Sequence, residues 1–420
     1  MENKDKNPNK DKKGLRQSLV CDWLESNYLQ FNHLRHDVVT DRLQITTDVD
    51  NTTWRNLTDK DIHSMVCQCV RDVESNITSM EIWTALKSEL VPSVHPLRDW
   101  LNQLPPYTDE QPDWIDMLAR QVKVVGDEQN NAYWCYCFKK WFVAMVASWM
   151  KDEVVNHTAL VLIGRQGLFK TTWLEHLIPP ELRAYSSKMP LSGQIMKDDR
   201  LRLCENGLLN IDELDAICGR EMNIVKSLLT STDVNERAAY GRLKERRMRL
   251  ASFCASTNNR EFLTDITGNR RWLPFEVESI QNPFHTILLY DRIYSQAKAL
   301  VDGRLFEYWF DSEDIEVLER HNETFRSQDN EEQLLPILFD IPAEDKGVFM
   351  TTAEISDVLV SYGGIKKPMS LRRLAIIIKK AGFTEHRHRI ANKQVRGWLV
   401  YKRHNDEIDI QRKQLATVTL

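Results

Sequence analysis

The run Thr158–Thr172, TALVLIGRQGLFKTT, limits what this chain can fold into more than any other feature. Ala159–Ile163 is uninterrupted aliphatic sequence, which suits a parallel strand buried on both faces. Gly164 to Phe169 reads as a tight turn, and Trp173, Leu174 and Leu177 then recur at helical spacing. Strand, glycine turn, Lys-Thr and helix is the layout of a phosphate-binding loop. In such a loop the backbone N–H groups of the turn and the positive end of the helix hold phosphate oxygens. Lys170 is placed to reach β/γ-phosphates, and the Thr171 hydroxyl to ligate Mg²⁺. Gly164, Gln166, Gly167, Phe169, Lys170, Thr171 and Thr172 are therefore the candidate phosphate-binding set. Phe169 breaks the strict pattern, which has glycine before the lysine because glycine lets the backbone approach phosphate closely. A plain glycine turn between a strand and a helix is the competing reading of the run by itself.

Later stretches supply chemical partners. Leu208–Glu213, LLNIDE, is an apolar strand ending in two carboxylates. Asp212 suits the Mg²⁺–water shell and Glu213 suits polarising an attacking water. Ser252–Asn259, SFCASTNN, delivers Asn258 at a strand tip, within reach of that water or of the γ-phosphate. Thr267–Val277 places Arg270 and Arg271 after a Gly-Asn turn and before an apolar strand. Arginine stabilises charge on a transferring phosphoryl group, often across a subunit interface. Ala238–Leu250 reads as a basic hairpin turning at Tyr240-Gly241, with Arg242, Lys244 and Arg246 on one face. That suits phosphate-backbone contact inside a channel. A common strand end, an Asn-rich turn and solvated surface charge are the respective plain alternatives.

Charge is unevenly spread along the 420 residues, whose net value is −5. Residues 301–345 carry fourteen acidic against three basic side chains, and residues 361–420 carry fourteen basic against four acidic. A basic terminal domain behind an acidic connector suggests a polyanion partner. The longest apolar run, Trp141–Met150, is half of what spans a bilayer and reads as a buried helix, so no membrane partner is expected. Scattered cysteines, without the wider spacings of zinc sites, read as buried thiols of a reducing, cytoplasmic setting.

In chain order, residues 1–13 read as a disordered basic arm and residues 14–105 as a mostly helical domain with a short hairpin at Val38–Thr47. Trp114–Val124 and Tyr133–Lys151 have helical patterns. Residues 106–300 read as those helices followed by an α/β core, and residues 301–345 as an acidic, loop-rich connector. Residues 346–403 have the order helix, turn, helix and two-stranded ribbon of a winged helix, followed by a tail, 404–420. Within that domain Arg372 and Arg373 sit on the second helix and Arg387 and Arg389 on the ribbon, as DNA contact requires.

With HPLRDWL, GRQGLFKTTW, LLNIDELD, RAAYGRLKERR, ASTNN and TGNRRW in this order, the chain resembles the virulence-associated protein E family over about residues 90–280. These are P-loop ATPases of the AAA+ class, similar to superfamily 3 helicases of viruses and mobile elements. The resemblance implies an α/β fold with an AAA+-type P-loop core, ATP and Mg²⁺ as cofactors, and a ring, usually hexameric, with nucleotide between subunits. By position, Lys170 and Thr171 match Walker A, Asp212 and Glu213 Walker B, Asn258 the sensor, and Arg270 or Arg271 an arginine finger given by the neighbour. Arg242 and Lys244 fall where superfamily 3 helicases place a DNA-tracking hairpin. Phe169 departs from the motif, and the primase domain fused to many relatives is absent, which implies a separate primase. The expected function is an ATP-hydrolysing DNA helicase or translocase of a mobile element or phage-like replicon. The competing expectation is an ATP-binding switch or origin-binding protein with little turnover.

Overall fold

The computed structural model describes residues 8–48, 50, 53–189, 197–211, 214, 219–236, 245–265, 268–303, 306–343, 347–390 and 393–418. The chain packs as two units, Met1–Asn259 with Arg270–Leu318, and Arg260–Asn269 with Glu319–Leu420. It is a mixed α/β protein with both parallel and antiparallel sheets.

The first unit opens with α1 (Pro8–Asn27), β1 (Leu34–Asp37), β2 (Arg42–Ile45), β3 (Arg55–Asn56), α2 (Asp59–Val73), α3 (Ser79–Leu86) and β4 (Ser93–Val94). Residues 8–13, expected as part of a disordered arm, are helical here. Helices make up most of its regular structure, and a small four-stranded sheet, β3-β2-β1-β4, stands where only a short hairpin was expected. The hairpin sits earlier than expected, because residues 38–41 make its turn. Thr58 and Thr78 open α2 and α3 with reciprocal capping boxes to Asp61 and Glu81. Val20, Trp23, Leu24, Ile62, Met65 and Ile82 close a core over the sheet.

The larger part of this unit runs through α4 (Pro96–Asn102), α5 (Trp114–Ala119), β5 (Val122–Val124), α6 (Glu128–Met150), β6 (Ala159–Ile163), α7 (Lys170–Glu175), β7 (Ser186–Met189), α8 (Lys197–Glu205), β8 (Leu208–Ile211) and α9 (Gly219–Thr230). It continues with β9 (Asp233–Glu236), β10 (Glu245–Met248), β11 (Ser252–Thr257), β12 (Trp272–Ile280), α10 (Tyr290–Gly303) and the start of α11 (Ser312–Glu323). Six strands form one sheet in the order β5-β12-β6-β11-β8-β7. All neighbours from β12 to β7 are parallel; β5 pairs antiparallel at the edge. β6 and β8 are buried at every position, as strands covered on both faces must be. The continuous helix expected over Trp114–Val124 stops at Ala119, and its last three residues become β5.

α6 is the pillar against which the sheet packs. Trp134, Phe138, Trp141, Phe142, Met145 and Trp149 are all fully buried. The three indole N–H groups donate to backbone carbonyls of Ala119, Phe253 and Gly207, so the large rings enter the core without stranding a donor. Lys140, on the same helix, is buried beside Asp314 at 2.5 Å and also donates to the Trp309 carbonyl.

The second unit contains α12 (Asn330–Leu338), β13 (Phe339–Asp340), β14 (Val348–Met350), α13 (Thr352–Gly363), α14 (Leu371–Lys380), β15 (Glu385–Ile390), β16 (Lys393–Lys402) and α15 (Asn405–Val418). β16 pairs antiparallel with β13, β14 and β15 along its length. Leu335, Phe339, Ile355, Leu374, Ile377 and Trp398 lie in its core. Thr351 and Glu354 make the capping box of α13, and Ser370 caps α14. The acidic stretch expected to be loop-rich instead starts helices. The Asp314 N–H donates to the Asp311 side chain and the Asp311 N–H to that of Asp314, while Glu331 and Glu332 fill the first turn of α12. Carboxylates gather there because helix N-termini favour negative charge. The expected tail is the helix α15.

Candidate functional site

The loop after β6 lies at the carboxyl end of the parallel sheet, where the sheet's connectivity reverses. From β6 the chain leaves toward β7 on one side; from its neighbour β11 it leaves for β12 on the other. Open α/β sheets bind ligands at such a switch point. A cavity of about 380 Å³ lies there, lined by Gln166, Gly167, Leu168, Phe169, Lys170, Thr171 and Thr172 from the loop and Ser256, Thr257 and Asn258 from the end of β11.

The turn needs its glycines. Gly164 has φ +151°, and a Cβ there would meet Leu168 Cδ1 at 3.1 Å and the Val277 carbonyl at 3.2 Å. Gly167 has φ +90°. The Gly164 N–H donates to the Thr257 carbonyl at 3.1 Å, which ties the loop to β11. Lys170 is buried, and its Nζ donates to the carbonyls of Gly164 at 2.6 Å and Arg165 at 2.9 Å and to Asn258 Oδ1 at 3.2 Å. Thr171 Oγ1 is 2.8 Å from Ser256 Oγ. The fold therefore brings Lys170, Thr171 and Asn258 together. It adds Ser256, which the sequence reading missed although period-two alternation puts it one pleat from the strand tip.

Phe169 holds φ +60° and ψ +16° immediately before α7. The other non-glycine residues with positive φ are Asn32, Asp41 and Glu74 among the described residues. For a residue with a Cβ this region costs roughly 1–2 kcal/mol. Phe169 is 38% exposed, and its ring meets Phe284 edge-to-face, with centroids 6.4 Å apart.

Asp212 and Glu213 directly follow β8, the strand beside β11, and lie outside the described residues. Arg270 and Arg271 are not brought to the loop. They form a short turn at the start of β12, whose Trp272 aligns with Ala159 at the start of β6. The loop leaves the other end of that strand, five residues on, so about 15 Å of strand separates them within one chain.

β9 and β10 are the paired arms of the basic hairpin, with Glu236 opposite Glu245. Arg242 and Lys244, between the two arms in sequence, lie outside the described residues. Arg246 is exposed and pairs with Asp233 at 2.9 Å. Arg247 and Arg249, in the same basic stretch, point inward. Arg247 donates to the Val39 carbonyl and faces Glu205, and Arg249 is fully buried with carbonyls of Asn156, Leu228, Leu229 and Ala251 around its guanidinium. Burial pushes that guanidinium down to about 9.

In the second unit Arg372, Arg387 and Arg389 are exposed. Arg387 stands opposite Arg396 across β15 and β16. Arg373 is committed elsewhere: it pairs with Asp329 at 2.7 Å and donates to the Thr264 carbonyl. Lys380 pairs with Glu323.

The seven cysteines among the described residues are free of disulfides. Burial pushes Cys137 up to about 12 and Cys69, Cys135 and Cys204 to about 11, which disfavours the thiolate; Cys67 is exposed. Among the described residues no group of three or more His, Cys, Asp or Glu side chains is arranged to hold a metal ion, and no helix is long and apolar enough to cross a membrane.

Fold and site together define an α/β protein with a glycine turn, lysine and threonine at the switch point of a parallel sheet. The virulence-associated protein E-like domain matches residues 103–327, more than half of the chain, and the protein belongs to that family. No curated protein sequence matches it. Three solved apo structures of the NrS-1 C-terminal region are similar in shape. They have TM-scores of 0.49, 0.46 and 0.45 and identities of 14%, 12% and 13%, each covering 90% of this chain and 98–99% of the other.

Proposed function

We propose that this protein is an ATP-hydrolysing, ring-forming DNA helicase or translocase serving a phage-like or mobile-element replicon, with a core of the AAA+ type. The observation that carries the reading is the meeting of Lys170, Thr171, Ser256 and Asn258 around one cavity at the switch point of the sheet. The residues fit a nucleoside triphosphate with Mg²⁺: a buried ammonium held among oxygen acceptors, a hydroxyl pair and a glycine turn. Lys170 would hold β/γ-phosphate oxygens, and Thr171 with Asp212 would hold Mg²⁺. Bound there, the nucleotide supplies a phosphoryl group for transfer to water. Glu213 would take a proton from that water and Asn258 would orient it.

Arg270 and Arg271 stand at the far end of the same sheet, so in this reading they serve the cavity of a neighbouring copy. That supports a ring, with six copies as the family resemblance implies. The hairpin, with Arg242, Lys244 and Arg246, would track the DNA backbone. The C-terminal winged helix would add contacts through Arg372, Arg387 and Arg389. Arg387 stands opposite Arg396 on the ribbon, a basic pair that suits an anionic partner, and Arg396 also meets Glu385 at 3.8 Å. A separate protein would supply priming.

The test is ATP hydrolysis by the full chain with and without single-stranded DNA. DNA-stimulated hydrolysis that Lys170→Ala abolishes is expected; no hydrolysis under either condition would overturn the reading. A second reading, a nucleotide-binding switch with little turnover, is favoured by Phe169 in the turn. ATP binding and assembly without product formation would select it.

A further inference from the structure

Phe169 occupies a backbone conformation that glycine would adopt without steric cost. Strain held at a site calls for a use of the side chain. The cavity beside it is walled by backbone, hydroxyls, Lys170, Gln166 and Asn258, apart from Leu168 and Phe169. On the Phe169 side the apolar wall continues outward. Phe284 is 68% exposed, lies perpendicular to Phe169, and meets the His176 ring edge-to-face at 5.7 Å.

This extension is built rather than loose. The Phe284 N–H donates to Asn282 Oδ1 at 3.0 Å, the His285 N–H to the Asn282 carbonyl at 3.0 Å and the Thr286 hydroxyl to the same carbonyl at 2.9 Å. Pro283 beside it is buried. The segment is then fastened to the end of α7: Tyr290 OH donates to the His176 carbonyl at 2.7 Å and Tyr294 OH to the Leu177 carbonyl at 2.8 Å. An exposed phenylalanine is thus held at the edge of the candidate phosphate cavity by a hydrogen-bonded turn and two tyrosine clamps.

We infer that Phe169 and Phe284 form the platform for the heterocyclic base of the nucleotide, an inference that rests on the nucleotide reading above. Two perpendicular rings make a corner. A planar base stacked on one face presents its edge to the other, which are the two favoured aromatic geometries. Phe169 thereby joins the phosphate loop to the base site, and its left-handed conformation turns the ring toward Phe284.

Calorimetric titration of the full chain with Mg-ATP and with Mg-tripolyphosphate separates base from phosphate. The wild type should bind ATP at least about tenfold more tightly than tripolyphosphate, and Phe284→Ala should remove most of that preference while leaving tripolyphosphate affinity and melting temperature unchanged. A wild-type preference near one, or a preference that survives Phe284→Ala, overturns the inference. So does a loss of assembly mass in Phe284→Ala at unchanged preference, which would assign the patch to a second copy of the chain. Binding of neither ligand by the wild type would reject the nucleotide reading itself, and the platform with it.

Discussion

The two ends of the central sheet carry different chemistry. At the carboxyl end, Lys170, Thr171, Ser256 and Asn258 converge within hydrogen-bond distance on a glycine turn. At the amino end, Arg270 and Arg271 immediately precede the first residue of β12, with a whole strand between them and the loop. The first set is assembled by one chain. The second set lies at the opposite end of the strand, about 15 Å from that chain's own loop, and in the proposed reading it serves the cavity of another copy. In this account a single protomer carries two incomplete halves, and catalysis requires assembly.

The comparison breaks most visibly at the arginines. Replacing Arg270 and Arg271 together with alanine should lower ATP turnover about a thousandfold while ATP affinity stays within a few fold. A matching loss of affinity would place these side chains in ground-state binding. At the other end, Lys170→Ala should cost about 10²–10³ in turnover and, unlike the arginine change, weaken nucleotide binding measured by titration. Equal effects of the two changes on binding would erase the distinction between the ends.

The scaffold between the ends should respond in stability instead. Lys140→Met leaves Asp314 without its cation and should destabilise the protein by about 3 kcal/mol in denaturant melts. Burial pushes the Asp314 carboxyl up, but bonds from Lys140 and Tyr136 outweigh it and hold the group below its usual range. The pair's contribution is therefore present above the unfolded carboxylate value, about pH 4, and is lost as pH falls through the lower folded value. Lys140→Met should flatten that part of the acid melt. A variant as acid-sensitive as wild type would contradict the assignment. The smallest effect is expected at the turn. Phe169→Gly relieves the left-handed strain but frees the unfolded chain, so stability should change by less than about 1 kcal/mol. A larger loss would show that the ring contributes much more through Phe284 than its exposed contact indicates.

The carboxyl end was legible in the sequence because its signals are local. An aliphatic run with glycine after it reads as β6 and its turn, and SFCASTNN carries its alternation to the tip of β11. β5 was missed because Val122-Lys123-Val124 is too short for period two to stand out from the helical pattern before it. The acidic stretches looked like loops because helix-capping residues and loop residues have the same composition; Asp311 and Asp314 illustrate this. Inward use of Arg247, Arg249 and Arg373 was illegible, since their partners are backbone carbonyls and acids distant in sequence. Phe284 gave no signal, because a single aromatic in a connection has no period. The order of the sheet, which sets the two ends apart, comes only from long-range strand pairing.

Mixing two inactive proteins shows whether the arginines of one copy serve the loop of another. Lys170→Ala chains keep the arginines, and Arg270→Ala/Arg271→Ala chains keep the loop. In an equimolar mixture about a quarter of interfaces would join an intact loop to intact arginines. ATP hydrolysis in the mixture should stand well above the sum of the two separate proteins. Hydrolysis equal to that sum, in assemblies shown to contain both chains, would contradict that expectation.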